Sequence, residues 1–523
     1  MAGERACHTA AVWAAVKAYA EEKGLRVLWL TRTASQVRHV AGETGALPVY
    51  GRRLLCLHEV IQKVELRRFN AACRATKHAG RCPYWPGKPR AVGRPTTVAE
   101  LKELGGRLMT CPYEITMVSM PAAKALVATH RQLPLLGWLF AKWRASRERT
   151  ILVLDEAQHV VKDALSMVRD SISLRTLKRA VSEAVKYGFK EVAEELRHAV
   201  ESYESISVSE VEGEDLLPPL SELVAAGEEV QEMKLRQNIA PASHLLSVAD
   251  FKAALAGRKP LLVREGGGVR LEALTDPREE LRKIYDGWAA TVSLSATISA
   301  ELIERLTGRE AVLMRAGWPY DENLKAVLMK GLTTKYEVRD DKLLADIGWV
   351  VDVLKGSGRR SLVFLPTFEL MPDADALKES QGMSQEEIDR VVASFHDNND
   401  VLVAVYGGRL SEGVDLSAEV VALIGVPFAP PTPRNQMLLK RLGEVLGDDA
   451  KLYGVVLPAV YSAVQAAGRA VRGPEDRALV LLIDDRYRRL VNLLPRWFRE
   501  RVEDGSVNVS ELPILLDEVN RRG

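Results

Sequence analysis

The sequence has no long hydrophobic run. None of its segments reaches the roughly 18 uninterrupted apolar residues that a membrane-spanning helix requires. The first residues, "MAGERACHTAAVW", do not have the composition of a secretory signal peptide. We therefore expect a cytoplasmic protein with no membrane partner.

Cysteine is scarce, and neither sign of charge dominates. Five cysteines in 523 residues are too few for a disulfide framework, so we expect free thiols, metal ligands or catalytic groups. The formal net charge is only +2, so a surface for nucleic acid must come from local clusters of Arg and Lys. The chain contains no short-period repeat or low-complexity tract, and because nothing in it indicates oligomerisation we expect a monomer.

Length and periodicity predict several α/β domains. At about 150 residues per domain the chain divides into roughly three or four. The helix "TAAVWAAVKAYAEEKG" has Val12, Val16 and Tyr19 on one face and ends at Gly24, and the buried strand "LRVLWLT" follows it. Strands and helices alternate again from about residue 320, with the strands "SLVFLP", "VLVAVYG", "VVALIGVP" and "ALVLLID". The predicted fold class is α/β with two parallel sheets.

Two stretches interrupt the first α/β series. Residues 50 to 115 contain four cysteines, clustered Arg and Lys and the segment "RCPYWPGKPRAVGRP", which predict an insertion rather than part of the sheet. The long region after Asp155 is polar and mostly helical, which predicts a second insertion. The segment from Lys259 to Pro277 then predicts a β-hairpin that returns the chain to the first sheet, which "TVSLSATIS" completes.

The segment "ILVLDEAQHV" is an apolar strand that ends on two adjacent carboxylates, Asp155 and Glu156. Open α/β sheets bind ligands at the carboxyl ends of their strands. An Asp in this position can hold Mg²⁺, usually through water, and the adjacent Glu can orient or deprotonate an attacking water. The alternative is a strand that simply ends in two solvated acids.

Three weaker motifs follow along the chain. The segment "SLSAT" places small hydroxyl residues after a strand, which is also common in turns. The segment "YGGRLSEGVDLS" combines glycines with Glu412 and Asp415. The segment "QAAGRAVR" predicts Arg469 and Arg472 on one helical face, where they could neutralise charge on a transferring phosphate. An arginine pair of this kind is by itself more often part of a surface salt-bridge helix.

The ordered set of motifs resembles the superfamily 2 helicases of the XPD/DinG group. The resemblance extends from about Ala2 to Tyr487, and its last motif is highly specific to that group. The segments that carry it are "LTRTASQ" at 30 to 36, "DEAQ" at 155 to 158, "SAT" at 295 to 297, "VFLPTF" at 363 to 368, "GRLSEGVDL" at 408 to 416 and "QAAGRAVRGPEDRALVLLIDDRY" at 465 to 487.

The resemblance implies two RecA-like motor domains with ATP in the cleft between them. Their combined activity would be 5′ to 3′ translocation on single-stranded DNA, in DNA repair or a related process. Motor domain 1 would comprise residues 1–50, 115–160 and 270–318, and motor domain 2 residues 319–523. Residues 51–114 would form an iron–sulfur insert, here named the four-cysteine insert, and residues 161–269 a helical arch, here named the arch insert.

The resemblance also implies roles for single residues. Asp155 would hold Mg²⁺, Glu156 would activate water, and Gln158 stands where the family usually has His. The other predicted nucleotide-binding or transition-state residues are Gly413, Asp415, Gln465, Arg469 and Arg472. The first motif would contact DNA through Thr31, Arg32 and Thr33.

Four cysteines lie where this family inserts an iron–sulfur domain. Four thiolates suit a [4Fe–4S] cluster, although zinc is the alternative if spacing alone is judged. The four are Cys56, Cys73, Cys82 and Cys111. By the same resemblance, the four-cysteine insert and the arch insert would form a pore that only one DNA strand can pass. Basic and aromatic side chains suit such a groove, and those near the cysteines are Arg74, Lys77, Arg81, Tyr84 and Trp85, which suit a solvated loop nearly as well.

The phosphate loop departs from the family. Its expected position is the segment "AGERACHT", where Thr9 retains the hydroxyl for Mg²⁺ but His8 replaces Lys and Cys7 replaces Gly. Neutral His is a poor substitute for a charged ammonium that contacts the phosphates, so we expect a strong loss of turnover. Three interpretations remain: a truncated start, a loop that works weakly, or a paralogue that binds DNA without ATP turnover.

Two functional hypotheses follow. The first is an ATP-dependent DNA helicase that uses ATP, Mg²⁺ and a [4Fe–4S] cluster and acts on single-stranded DNA, with unidentified repair partners. The second is an iron–sulfur DNA-binding protein that lacks motor activity. ATP hydrolysis by the purified chain, with and without single-stranded DNA, distinguishes them.

Overall fold

The computed structural model describes two compact units. Unit 1 is Met1–Glu310 with Thr432–Leu438, and unit 2 is Ala311–Pro431 with Leu439–Gly523. The described residues are 3–85, 87, 89, 97–205, 210–265, 268–295, 297, 299–314, 321–398, 400–410, 416–468, 471, 474–503 and 505–522, and of residues 3–8 only the backbone is described. Within these ranges, we find no helix with the length and apolar character needed to cross a membrane.

Unit 1 begins with a helix and a buried parallel strand, as the sequence predicts. The first elements are α1 (Gly3–Lys23), β1 (Arg26–Thr31), α2 (Ala34–Thr44) and β2 (Leu47–Val49). Helix α1 ends before Gly24, whose positive φ of 61° is a conformation that glycine adopts at little cost. The predicted apolar face of α1 is wrong at Tyr19, which is 47% exposed, because the helix packs through Val16 and Ala20 instead.

The four-cysteine insert is helical in the part that the structure describes. Its helices are α3 (Arg52–Leu55), α4 (Leu66–His78), α5 (Val98–Arg107) and α6 (Pro112–Ser119), the last of which begins inside the insert and ends beyond it. The chain then returns to the first sheet through β3 (Ala125–Thr129), α7 (Leu136–Trp143), β4 (Thr150–Asp155) and α8 (Ala157–Leu165).

The arch insert contains helices and an antiparallel sheet. Its elements are β5 (Val168–Ser173), α9 (Leu174–Tyr187), α10 (Lys190–Ser205), β6 (Glu210–Glu212), α11 (Leu220–Arg236), α12 (His244–Leu255), β7 (Leu261–Glu265) and β8 (Gly268–Leu274). The sheet order is β5-β8-β7-β6. The predicted hairpin is therefore present as β7 and β8, but it belongs to this sheet and not to the first parallel sheet.

A buried carboxylate joins three helices of the arch insert. Glu183 of α9 accepts hydrogen bonds from Lys234 of α11 and from the backbone N–H groups of His244 and Leu245, at 2.6 and 3.0 Å, at the start of α12. A buried carboxylate is stable only when it is paired in this way. The contact therefore fixes where α12 begins.

The first sheet is completed by α13 (Pro277–Tyr285), β9 (Ala290–Leu294) and α14 (Ala300–Thr307). Its order is β2-β3-β1-β4-β9, and all its pairings are parallel. Because parallel strands end at one edge, Thr31, Thr129, Asp155 and Leu294 lie along the same edge of the sheet. The register pairs Thr31 with Thr129 and Asp155 with Leu294.

Unit 2 is a second parallel sheet covered by helices. Its elements are β10 (Leu324–Lys330), α15 (Asp341–Gly356), β11 (Ser361–Leu365), β12 (Leu377–Lys378), α16 (Gln385–Asp397), β13 (Val401–Val405), β14 (Val420–Ile424), α17 (Pro433–Leu446), α18 (Leu457–Ala467), β15 (Ala478–Ile483), α19 (Tyr487–Leu490), α20 (Arg496–Arg499), β16 (Val507–Asn508) and α21 (Leu512–Arg522). The order is β12-β13-β11-β14-β15-β10-β16. The central strands β11, β13, β14 and β15 are buried on both faces, as their continuous apolar sequences predict.

The segment Thr432–Leu438, which includes the first residues of α17, belongs to unit 1 and packs on the antiparallel sheet of the arch insert. Arg434 donates from Nε and Nη2 to the carboxylate of Glu272 on β8, at 2.9 to 3.0 Å. Met437 and Leu438 pack against a small apolar cluster that contains Leu261 and Val263. A segment distant in sequence therefore neutralises a carboxylate that is only 3% exposed.

Candidate active site

The two predicted catalytic carboxylates lie at the edge of the first sheet. Asp155 is the last residue of β4, and Glu156 follows it with φ 52° and ψ 44°, in the left-handed region. A single non-glycine residue in this region costs roughly 1–2 kcal/mol. The surrounding contacts must therefore stabilise the conformation of Glu156, as is common at functional sites.

Gln36 of α2 contacts the Glu156 carboxylate directly. Its Nε2 donates to Glu156 Oε1 at 2.9 Å. Its Oε1 accepts from the backbone N–H groups of Arg32 and Thr33 at 3.1 and 2.9 Å. Thr33 is also the N-cap of α2 and forms a capping box with Gln36. The first motif and the second motif are thus joined by one side-chain amide.

His159 is the second neighbour of Glu156. Arg32 Nη1 lies 3.0 Å from His159 Nε2, and because guanidinium can only donate, Nε2 must accept and the ring is neutral. Burial, followed by Arg32 and Lys162, lowers the pKa of His159 to about 4. The 3.6 Å approach of His159 Nε2 to Glu156 Oε2 is therefore not an ion pair at neutral pH.

Three polar atoms just beyond this edge are buried without a partner in the described part of the chain, one of them Nε2 of His130, which directly follows β3. The other two are Gln158 Oε1 and Thr297 Oγ1. They follow β4 and β9, which are neighbours in the sheet. Buried polar atoms normally have partners, so the pair fits a site that takes a hydrated ion or a polar ligand. Asp155 and Glu156 lie at the same edge, although no group of three or more His, Cys, Asp or Glu among the described residues is arranged to hold a metal ion.

The predicted phosphate loop is not a loop from Gly3 onward. Cys7, His8 and Thr9 lie in helix α1, which begins at Gly3. The physical reason is composition, because "ERACHTAAVWAA" contains no glycine or proline and several strong helix formers. Thr9 is half-buried, and the His8 side chain lies outside what the structure describes.

Most of the predicted nucleotide residues of unit 2 lie outside the described residues. These are Gly413, Asp415, Arg469 and Arg472, and their roles remain predictions. Gln465 is half-buried on α18, which has Gly468 as its C-cap.

A buried carboxylate orders the backbone just before residue 411. Glu379 accepts from the N–H groups of Val405 and Leu410 at 3.0 and 3.2 Å. A Cβ atom at Gly408 would lie 2.4 Å from Glu379 Oε2, which explains why glycine occupies this position of the "GRLSEGVDL" motif.

The "IDDRY" part of the last motif forms a brace within unit 2. Asp484 is 1% exposed and accepts from Arg486 Nε and Nη2 at 2.8 and 2.7 Å and from the Thr334 N–H at 2.9 Å. Tyr487 donates to the Gly425 carbonyl at 3.0 Å. These contacts tie together the carboxyl ends of β10, β14 and β15.

The four predicted cluster ligands are free thiols that influence one another. Burial raises the pKa of Cys56 to about 11, with a hydrogen bond to the His58 backbone opposing the rise and Cys73, Cys111 and Cys82 adding to it. Burial also raises the pKa of Cys73 and Cys82, which nearby cations partly oppose. Among the described residues, however, no group of three or more His, Cys, Asp or Glu has the arrangement of a metal-ion site.

Positive charge surrounds these thiols. Arg52 lies over the Tyr113 ring at 4.5 Å and lowers the pKa of Cys73, as does Lys77. Cys111 is the N-cap of α6, where the helix dipole favours negative charge. Cations and a helix N-terminus therefore lie close to thiols that the described structure does not arrange as a metal-ion site.

The predicted DNA-contacting residues fall into two places. Thr31, Arg32 and Thr33 lie at the sheet edge beside Glu156, where buried Thr31 donates from Oγ1 to the Thr33 carbonyl at 3.2 Å. Tyr84 and Trp85 lie beside the cysteines, and Lys77 Nζ occupies one face of the Trp85 ring at 4.3 Å.

Arg74 is exposed on α4, near the seam between the two inserts. It acts electrostatically on Asp250 of α12. At the same seam Arg67 binds Asp170 and donates to the Ser171 and Ser247 carbonyls at 2.8 and 3.0 Å. The four-cysteine insert and the arch insert are therefore joined by arginine contacts.

Sequence reasoning did not find Gln36, His159 or Glu379 as site residues. Gln36 lies inside a quoted motif and matches the capping-box spacing from Thr33, so a signal existed. Glu379 carries no local signal, because only the tertiary fold brings it to Gly408.

Two family models match the chain. Residues 29–177 match the DEAD_2 family, and residues 350–501 match the helicase C-terminal domain. The ATP-dependent DNA helicase XPD of Sulfolobus acidocaldarius is 27% identical over 175 residues, which is 30% of this chain and 31% of that protein. The ATP-dependent DNA helicase CHL1 of Eremothecium gossypii is 21% identical over 574 residues, which is 90% of this chain and 70% of that protein.

Solved structures show the same fold. A structure described as XPD helicase superposes with a TM-score of 0.70 at 18% identity, covering 91% of this chain and 89% of that chain. Xpd4 of S. tokodaii gives a TM-score of 0.62 at 15% identity, covering 93% and 92%. The two parallel sheets thus have the RecA-like fold. Because the DEAD_2 and helicase C-terminal models together match more than half of the chain, it belongs to the XPD/DinG-type superfamily 2 helicases.

Proposed function

We propose that this chain is an ATP-dependent DNA helicase that translocates 5′ to 3′ on single-stranded DNA in DNA repair. The observation that carries the proposal is the environment of Glu156. One oxygen is held by Gln36 at 2.9 Å, and Oε2 accepts no hydrogen bond among the described residues and faces a neutral His159. A carboxylate oriented in this way is suited to activate a water.

The remaining chemistry is assigned by the family motifs. Asp155 holds Mg²⁺, Gln158 donates and accepts hydrogen bonds in place of the family's usual His, and Thr9 supplies a hydroxyl for Mg²⁺. From unit 2, Gln465, Arg469 and Arg472 stabilise the transition state, and Gly413 and Asp415 contact the nucleotide. A cytoplasmic monomer is also part of this proposal, because five cysteines are too few for a disulfide framework and the sequence carries no signal of oligomerisation.

Replacement of Glu156 by Gln tests the catalytic assignment. The variant keeps the hydrogen bond from Gln36 but cannot accept a proton, so ATP hydrolysis stimulated by single-stranded DNA should fall by at least about 100-fold. DNA binding, measured by fluorescence anisotropy, should not change. Unchanged turnover would remove Glu156 from this role.

The four cysteines form the proposed cluster site. Cys56, Cys73, Cys82 and Cys111 would hold a [4Fe–4S] cluster, which when bound would cross-link the segments that carry them. The raised pKa of Cys56 means that this thiol must release its proton on assembly. A visible absorbance band that disappears in the variant with all four cysteines replaced by Ser supports iron. A colourless protein with stoichiometric zinc contradicts it.

A second function is favoured by one observation. His8 replaces the phosphate-binding lysine and lies in α1, which is helical from Gly3. In this alternative the chain is an iron–sulfur DNA-binding paralogue without motor activity. The double substitution Cys7→Gly with His8→Lys distinguishes the two: increased turnover supports an impaired motor, and absent turnover in both proteins supports the paralogue.

A further inference from the structure

The orientation of the Gln36 amide is determined by its partners. Its Oε1 faces two backbone N–H groups, those of Arg32 and Thr33, which can only donate. Its Nε2 must therefore face Glu156, which accepts. If the amide were flipped, its Nε2 would face the two backbone N–H groups, donor against donor. Its Oε1 would face the Glu156 carboxylate, acceptor against acceptor. The arrangement has one satisfied form.

This amide connects two motifs that are distant in sequence. Glu156 is 120 residues after Gln36, and its carboxylate is only about a third exposed, at 36%. Its backbone is in the left-handed region at φ 52°, so its side-chain direction depends on outside contacts. His159 contributes no donor to Oε2, because its Nε2 accepts from Arg32. Among the described residues, Gln36 is therefore the hydrogen-bond donor that orients this carboxylate.

We propose that Gln36 is a positioning residue that couples single-stranded DNA at Arg32 and Thr33 to the catalytic orientation of Glu156. The inference rests on the proposed helicase function and deepens it. The N–H groups that Gln36 Oε1 accepts from belong to the predicted DNA-contacting segment. A DNA phosphate that moves this backbone, or that takes over its N–H groups, moves the amide and with it the carboxylate.

The kinetic consequence is specific. Displacement of a catalytic group by about 1 Å can lower the rate on the order of 100-fold without altering binding. Gln36→Ala should therefore lower kcat in the presence of an oligodeoxythymidine and bring the ratio of stimulated to basal ATPase towards one. The Michaelis constant for ATP and the dissociation constant for DNA should change by less than about threefold, because neither reports the orientation of Glu156.

Two matched variants separate positioning from a structural role. Glu43→Ala removes a polar side chain from an exposed position of the same helix, α2, and should retain the full stimulation ratio. Gln36→Glu keeps an oxygen that accepts from the two N–H groups. It also places a new carboxylate against that of Glu156, and the two would share a proton. The pair's pKa rises, so the acid limb of the pH–rate profile should move to higher pH, which a loss of stability alone would not produce.

The outcomes distinguish this inference from the helicase proposal. A Gln36→Ala variant that keeps the wild-type stimulation ratio overturns the coupling, whatever its rate. If the unmodified chain hydrolyses no ATP, the helicase proposal fails. Amide hydrogen exchange then tests whether DNA binding at residues 30–36 is still coupled to residues 155–165. DNA should then alter exchange in residues 30–36 and in 155–165, and Gln36→Ala should abolish only the second response. A response confined to residues 30–36 in the unmodified chain overturns the inference, and absence of DNA binding overturns both proposals.

Discussion

At the scale of single residues, the neutral state of His159 makes the stability of the fold depend on pH. Burial lowers its pKa to about 4 from an ordinary value of 6.5. Between these values the unfolded chain binds the proton and the folded chain does not, so the free energy of unfolding falls as pH falls from 6.5 to 4. The contribution of this residue is at most about 3 kcal/mol. We expect His159→Gln, which keeps an acceptor for Arg32, to remove this part of the acid destabilisation in denaturant titrations.

The control for His159 is His198→Gln, on the exposed side of α10. It should leave the pH dependence of stability unchanged. If His159→Gln and the unmodified chain lose stability in parallel between pH 6.5 and pH 4, the histidine is not held neutral by its surroundings.

At the scale of secondary-structure elements, one buried ion pair joins the start of α17 to strand β8. Glu272 is 3% exposed, and Arg434 binds it through two nitrogens. Removal of one partner leaves a buried unpaired charge, which typically lowers the free energy of unfolding by about 3–5 kcal/mol. Replacement of both partners by apolar residues often leaves that free energy unchanged. We therefore expect Arg434→Ala to lower the unfolding free energy by about this amount, and the double variant Arg434→Leu with Glu272→Leu to recover most of it.

Arg236→Ala is the matched control, because the Arg236–Glu232 pair is exposed, with side-chain exposures of 75% and 62%. Exposed pairs contribute at most about 1 kcal/mol. Equal destabilisation by Arg434→Ala and Arg236→Ala in denaturant titrations would show that the buried pair has no special role.

For the whole molecule, a net charge of +2 means that DNA affinity depends on where the cations lie. Each phosphate contact to single-stranded DNA adds about 0.7 to the slope of log affinity against log salt. Arg74 is exposed at the seam between the inserts, so Arg74→Ala should lower that slope by about 0.7. Anisotropy titrations at several salt concentrations measure it. Arg236→Ala should leave the slope unchanged, and an unchanged slope for Arg74→Ala would exclude this arginine from the DNA-binding surface.

The outcome of sequence reasoning differed between strands and insertions. Continuous apolar segments such as Leu362–Leu365 predicted the buried parallel strands, because such strands are covered on both faces. The hairpin of β7 and β8 was predicted, but its pairing with β5 and β6 was not, since pairing partners far along the chain carry no local signal. The prediction of a phosphate loop was wrong for a different reason: the helical propensity of residues 3 to 9 makes them part of α1, whatever their position relative to the family motif.

The sequence by itself determined the α/β class, the family and the carboxylates Asp155 and Glu156, because strand periodicity and ordered motifs are local properties. Only the tertiary structure decided that Gln36 holds Glu156, that His159 is neutral, that Glu379 requires glycine at position 408 and that Arg434 neutralises Glu272. Each of these depends on distances and burial between residues far apart in the chain. Hydrogen bonds and desolvation act only when the fold brings such groups into contact, and no spacing along the chain encodes them.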